Sequence, residues 1–299
     1  MSALDYNEET GRYEFDTAVM SGSISAEGNY HGVWELMDKA TGLQVIHPSF
    51  SALNLFRLFA VHQGLDQPRL MDRTVSSDES GVAITWAPSE GHQGELTARY
   101  ELAGDSCIDL SVRVESKGTY EGYELFLSNY FDKSFRPHIY LYGARYGRES
   151  SDPELVVPMV NDVFRGTVIV FPRDPHSARR CVDGRWNRSE WGAPTVQMCP
   201  VRYYEYPMAF LTDPGNRVGI VLMSLPEDCY GISTRYHVDD EADRMTDYSA
   251  FDFSLFGDDM VPGSRRTVKM RLAVTSVDEA LAQPLACYEA FKEKFGSAI

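Results

Sequence analysis

The chain has 299 residues, 43% of them hydrophobic and 12% aromatic, a composition that excludes a disordered or low-complexity chain and can supply a sizeable core. Its 44 acidic against 28 basic side chains give a formal net charge of −16, which argues against a nucleic-acid backbone or an anionic membrane surface as the main partner. A neutral ligand, or a local basic pocket in an acidic body, stays open.

The length fits one large all-β domain, taken as residues 1–299. Cys107, Cys181, Cys199, Cys229 and Cys287 are odd in number and show no CxxC spacing, so they read as reduced thiols of a cytoplasmic protein. The opening MSALDYNEETGRYEFD is polar and acidic, unlike a secretion leader. No stretch approaches the roughly 18 consecutive apolar residues of a membrane span.

Taken in order, GRYEFD alternates first, and SALNLFRLFAVH (51–62) then reads as a helix or as a strand followed by a loop. GVAITW, LTARYELA and CIDLSVRVES alternate again; in the last, Ile108, Leu110, Val112 and Val114 share one face and Asp109, Ser111, Arg113 and Glu115 the other. YELFLSNYF, HIYLYG and GTVIVFP follow, then the longest irregular stretch, FPRDPHSARRCVDGRWNRSEWGAP (171–194). YYEYPMAFLTD, RVGIVLMSL, YSAFDFSLF and TVKMRLAV complete the strands. SVDEALAQPLACYEAFKEKF (276–295) predicts a C-terminal helix, with Ser276 as cap, acidic residues in its first turn and lysines before Gly296, despite Pro284. The pattern predicts an all-β fold, a large antiparallel two-sheet supersandwich with a short C-terminal helix.

Three stretches, GNYHGVWELMDKATG (28–42), ELFLSNYF (124–131) and VPGSRRTVKMRLAV (261–274), resemble the galactose mutarotase-like sandwich shared by aldose 1-epimerases and other carbohydrate-processing enzymes. The resemblance implies that fold and a carbohydrate ligand. In the epimerases the mid-chain motif places a histidine beside a Tyr-Phe pair, whereas here Asn129 precedes Tyr130 and Phe131 and the nearest histidine is His138. Mutarotation itself is therefore not carried over.

Several segments offer chemistry. A strand from His138 to Tyr142 puts His138, Tyr140 and Tyr142 on one face, suited to a sugar's C–H patches and hydroxyls or equally to a half-exposed sheet. GRWNRSEWG gathers Arg185, Trp186, Asn187, Arg188, Glu190 and Trp191, a sugar-recognition unit or a loop pinned by its tryptophans. Upstream, Arg173, Asp174, His176, Arg179 and Arg180 suit an acidic sugar or a set of salt bridges.

In GISTRYHVDDEAD, Ser233, Arg235, His237 and Asp239 share a face, and an exposed acidic turn is preferred there over a calcium site. Glu205 lies among tyrosines, and His31, His47, His62 and His92 sit at strand entries, loops or edges. No HxH, HExxH, GxSxG, P-loop or dinucleotide fingerprint occurs, so no metal and no cofactor is expected.

The leading expectation is a carbohydrate-active enzyme working on a sugar or glycoside by general acid/base chemistry, through epimerisation, elimination or hydrolysis. His138, His237 and Glu190 are the catalytic candidates. Tyr140, Arg145, His176, Trp186, Arg188 and Trp191 form the expected binding wall. A non-catalytic carbohydrate-binding or assembly subunit is the alternative, and tyrosine-rich strands leave a homo-oligomer open.

Overall fold

The computed structural model describes residues 4–61, 63–141, 152–157, 168–170, 197–198, 204–215, 217–235 and 248–296. The chain opens with β1 (Asp5–Asn7), β2 (Arg12–Asp16), β3 (Met20–Ser25), β4 (Gly32–Asp38) and β5 (Leu43–Gln44). Next come β6 (Asn54–Ala60), β7 (Gln63–Gly64) and a 3-10 turn at Pro68–Leu70. β8 (Thr74–Asp78), β9 (Gly81–Trp86), β10 (Gly94–Leu102) and β11 (Cys107–Ser116) form a meander. The middle holds β12 (Tyr120–Ser128), β13 (Tyr130–Phe131), β14 (Arg136–Leu141), β15 (Glu154–Val156), β16 (Val168–Val170) and β17 (Gln197–Met198). Closing the chain are β18 (Tyr204–Thr212), β19 (Val218–Ser224), β20 (Cys229–Arg235), β21 (Ser249–Met260), β22 (Arg265–Ser276) and the helix α1 (Ala282–Phe295).

These strands make two large sheets, as the alternation predicts, and a third, smaller one. A nine-stranded sheet runs β15-β14-β18-β19-β22-β11-β10-β9-β8, and an eight-stranded sheet runs β17-β16-β20-β21-β12-β6-β7 with β13 beside β21. The N-terminal strands β1 to β5 form a five-stranded sheet in sequence order. Pairing is antiparallel except between β16 and β17. The ambiguous 51–62 segment resolves as strand β6, which reaches the β7 edge through a tight reversal; His62 lies outside the described residues.

One core fills the space between the sheets. Ile108, Leu110, Val112 and Val114 of β11 face it with Leu125 and Leu127 of β12 and Phe251 and Phe253 of β21, all at most 1% exposed. Each such side chain contributes roughly 1.5–3 kcal/mol through apolar burial. The other face of the nine-stranded sheet has a second apolar layer, where Met208, Phe210, Val221, Met223 and Ala273 meet Tyr288 and Phe291 of α1. That is why β19 is buried along its whole length and shows no polar alternation.

Helix α1 starts later than the sequence predicts. Ser276 ends β22, and the turn between strand and helix is organised by Asp278, whose Oδ1 accepts the Ala280 N–H at 3.0 Å. Pro284 then falls in the first turn, where a missing N–H breaks no intrahelical bond. At the far end Lys292 and Lys294 sit in the last turn, as expected, and the Gly296 N–H returns to Lys292 O at 2.7 Å. Lys294 also reaches Asp109 of β11 at 3.2 Å, beside the buried bidentate Arg271–Asp109 pair at 2.5 and 2.9 Å.

Candidate functional site

On the eight-stranded sheet, polar and charged side chains, with Phe126 among them, alternate with the core-facing ones. β6 places Asn54 and Arg57 on the outward face, β12 places Glu124, Phe126 and Ser128 there, β21 places Asp252 and Ser254, and β20 places Ser233. Register fixes how they adjoin: Ser233 pairs with Asp252, Ser254 with Phe126, Phe126 with Arg57, and Ser128 with Asn54. Although these side chains face away from the core, Asn54, Glu124 and Ser128 are 0% exposed and Arg57, Asp252, Ser233 and Ser254 at most 8%.

The floor therefore carries a carboxylate near each end and a guanidinium between them. Glu124 lies four residues along β12 from Ser128, beside which Asp252 stands, so the two acidic Cα positions are about 13 Å apart along the strands, at ~3.3 Å per residue. Asn54 Nδ2 donates to Ser128 Oγ at 3.2 Å, while Asn54 Oδ1 and Ser233 Oγ have no hydrogen-bond partner among the described residues. Buried polar atoms left open in this way call for a hydroxyl-bearing or ionic ligand or for water.

Aromatic rings wall one end. Tyr130 adjoins Phe50 at 4.9 Å and Tyr248 at 4.8 Å between ring centroids; Tyr30 packs on Phe50 at 4.9 Å, and His47 stacks on Phe50 at 4.8 Å. Burial, then the nearby Asp252 carboxylate, holds the Tyr130 phenol well above its usual pKa, against a hydrogen bond with Ser128. Tyr130 is thus a neutral hydroxyl reaching the acidic end of the floor. His47 Nδ1 accepts the Ser49 N–H at 3.1 Å, so its neutral form carries the proton on Nε2.

The floor is bracketed by backbone strain. Leu53, just before β6, has φ 55°, and Phe256, paired with Glu124, has φ 72°. Non-glycine residues in the left-handed region cost about 1–3 kcal/mol and collect at functional sites. Asn129 holds the first in place: its Oδ1 accepts the Leu53 N–H and its Nδ2 donates to Phe251 O, both at 2.7 Å. The side chain beside the Tyr-Phe pair is thus a structural clamp between β6 and β21.

His138 and Tyr140 are elsewhere. Ile139 and Leu141 enter the main core, as period two requires, and His138 and Tyr140 face the helix side of the nine-stranded sheet. His138 stacks on Phe210 with centroids 4.8 Å apart and planes 7° apart, its Nδ1 lies 3.0 Å from Arg136 O, and burial lowers its pKa. Tyr140 meets Tyr206 at 5.6 Å, which in turn packs on Tyr288 of α1 at 5.5 Å.

Tyr142, Arg145, His176, Trp186, Arg188, Glu190, Trp191 and His237 lie outside the described residues. His31 is fully buried and accepts the Leu55 N–H at Nε2, 3.1 Å away; burial and Arg73 hold it neutral. His92, bonded to the Tyr123 hydroxyl at 3.0 Å, is pushed down to about 4 by burial. Both are structural. Among the described residues no cluster of three or more His, Cys, Asp or Glu could hold a metal ion.

Sequence reading missed Arg57, Glu124 and Asp252. Their signal was present: each is a single charge inside an apolar run, LFRLF, YELF and FDF.

No protein-family model and no curated protein matches the sequence. Solved structures do match in fold. A candidate aldose 1-epimerase from Escherichia coli K12 aligns at a TM-score of 0.54 with 12% identity, covering 89% of this chain and 99% of that one. The Slr1438 protein from Synechocystis sp. PCC 6803 aligns at 0.53 with 13% identity, covering 89% and 96%. An aldose epimerase homologue from C. elegans aligns at 0.50 with 9% identity, covering 90% and 99%. The chain therefore has a fold similar to that of aldose 1-epimerase structures, an all-β sandwich at a large distance in sequence.

Proposed function

We propose that the outer face of the eight-stranded sheet is a carbohydrate-binding groove and that the protein acts on a sugar or glycoside by general acid/base chemistry. The observation that carries this is the floor itself: Asn54, Arg57, Glu124, Ser128 and Asp252 are buried together on a face that the core does not use. Within this buried polar set Asn54 Oδ1 and Ser233 Oγ have no hydrogen-bond partner among the described residues, and a sugar hydroxyl would supply one. The aromatic wall of Tyr30, Phe50, Tyr130 and Tyr248 offers ring faces to sugar C–H groups while the floor bonds hydroxyls.

In this reading Glu124 and Asp252 are the proton-transfer candidates at the two ends of a floor about 13 Å long, each acting on a different part of a bound saccharide in epimerisation, elimination or hydrolysis. Arg57 steadies negative charge as it develops on a ring oxygen or leaving group. The proposal keeps a place for the unplaced candidates. Residues 171–196 join β16 to β17 and residues 236–247 join β20 to β21, all strands of this sheet, so Trp186, Arg188, Glu190, Trp191 and His237 are tied in sequence to its strands.

The test is a thermal-shift screen of neutral and acidic sugars, followed by turnover of the hits by wild type, Glu124→Gln and Asp252→Asn. Retained binding with turnover reduced at least a hundredfold in either variant supports catalysis. Binding of a sugar without turnover by the wild type supports the alternative, a carbohydrate-binding subunit.

A further inference from the structure

Beside the floor stands a guanidinium that pairs with no carboxylate among the described residues. Arg69, in the 3-10 turn at Pro68–Leu70, lies with its Cζ 3.7 Å from the centroid of Phe56. Phe56 in turn meets Phe126 edge-on at 6.0 Å, and Phe126 is the floor residue paired with Arg57. Arg57, Phe126, Phe56 and Arg69 thus form one continuous run across the outward face, with a guanidinium at either end.

Arg69 is built to stay where it is. Gln67 Oε1 accepts from both its Nε and its Nη2, at 3.1 and 3.0 Å, and Arg73 Nη2 donates to Arg69 O at 2.9 Å. A neutral amide has taken the side-on edge of the guanidinium, and among the described residues no carboxylate pairs with it. Among the described residues the end-on edge, Nη1 and the remaining N–H of Nη2, takes no hydrogen-bond acceptor. Nearby, Asp66 and Asp72 line a cleft of about 570 Å³ with Gln67, Leu70, Met71 and Ser89, which Arg69 itself does not line. In a chain of net charge −16, a half-buried arginine oriented by an amide and paired with no carboxylate of the described residues is a feature with a cost.

We infer that Arg69 is the rim contact for an anionic substituent of the sugar, a carboxylate or a sulfate or phosphate ester. Such groups present two oxygens that match the end-on fork of a guanidinium. The stack on Phe56 holds the fork flat and desolvates one side, which strengthens the contact with an anion. This rests on the groove reading given above and sharpens it, since a neutral hexose would use the floor but not Arg69.

The experiment is calorimetric titration of the full chain with D-galactose, D-galacturonate and D-galactose 6-sulfate, for wild type and Arg69→Gln, with thermal midpoints as a control for folding. Wild type should bind at least one anionic sugar about tenfold or more tighter than galactose, and Arg69→Gln should lose that preference while its affinity for galactose stays within about twofold. The carboxylate and sulfate arms tell which anion is meant. Galactose binding with no anionic preference, or a preference untouched in Arg69→Gln, overturns the role of Arg69 and leaves the groove standing. Binding of none of the three by a folded wild type overturns both. If Arg69→Gln fails to fold, Gln67→Ala, which frees the guanidinium to swing, must weaken the anionic sugar selectively or the inference fails.

Discussion

The two outer faces of the sandwich follow the same rule of alternation and come to opposite ends. On the nine-stranded sheet the outward residues are Met208, Phe210, Val221 and Met223, and α1 covers them with Tyr288 and Phe291. On the eight-stranded sheet the outward residues include Asn54, Arg57, Glu124, Ser128 and Asp252, buried without being apolar. Packing accounts for the apolar layer of the first face, and the buried charge beside it, Arg271 with Asp109, is internally paired. On the second, Asn54 Oδ1 and Ser233 Oγ are buried without a hydrogen-bond partner among the described residues, which apolar packing does not supply.

The largest effect expected from breaking this contrast is on chemistry. Glu124→Gln should lower turnover of an identified sugar by about 10²–10⁴-fold, the usual range for a general acid or base, with cooperative unfolding retained. A variant that keeps full turnover would remove Glu124 from the mechanism. On the opposite face, Phe291→Ala should destabilise the protein by about 3–5 kcal/mol in denaturant titration, with sugar affinity unchanged. If affinity fell as well, the faces would not be independent.

Between the faces sits Asn129, and Asn129→Ala should cost about 2–3 kcal/mol by leaving the Leu53 N–H and Phe251 O unpaired. Because Leu53 leads directly into Asn54, sugar affinity should fall too, a joint loss that Phe291→Ala would not show.

The smallest effect is the one on pH. Burial sets the folded-state pKa of His138 below its unfolded value of ~6.5, so the unfolded chain binds more protons between those two values. The neutral imidazole's contribution is therefore full above about pH 6.5 and is lost as pH falls towards the folded value. Thermal midpoints measured from pH 7 to pH 5 should drop less in His138→Gln than in wild type, and turnover at pH 7 should stay within about threefold. A hundredfold loss of turnover in that variant would return His138 to the chemistry.

How much of this was legible in the sequence depends on the question asked. Period two separates Ile139 and Leu141 from His138 and Tyr140 correctly, because strand geometry dictates it. It does not say which partner each face will meet, since that depends on Tyr288 and Phe291, about 150 residues downstream. The charges in LFRLF, YELF and FDF were visible singly, but their convergence follows from β12 lying between β6 and β21, a topology that local pattern does not encode. The late start of α1 has the same character, because Ser276 is claimed by pairing with Val218 before it can cap a helix.

Asn129 carries one more consequence, for how a protein of this shape could change its trade. In aldose epimerases the place beside the Tyr-Phe pair belongs to a histidine, whereas here its amide ties Leu53 to Phe251. An imidazole grafted at 129 would have to replace both bonds before it could move a proton. A new proton-transfer group is therefore more accessible in this chain through Asp252, Ser233 or Glu124, whose side chains point away from the core, than through a position whose amide joins two strands.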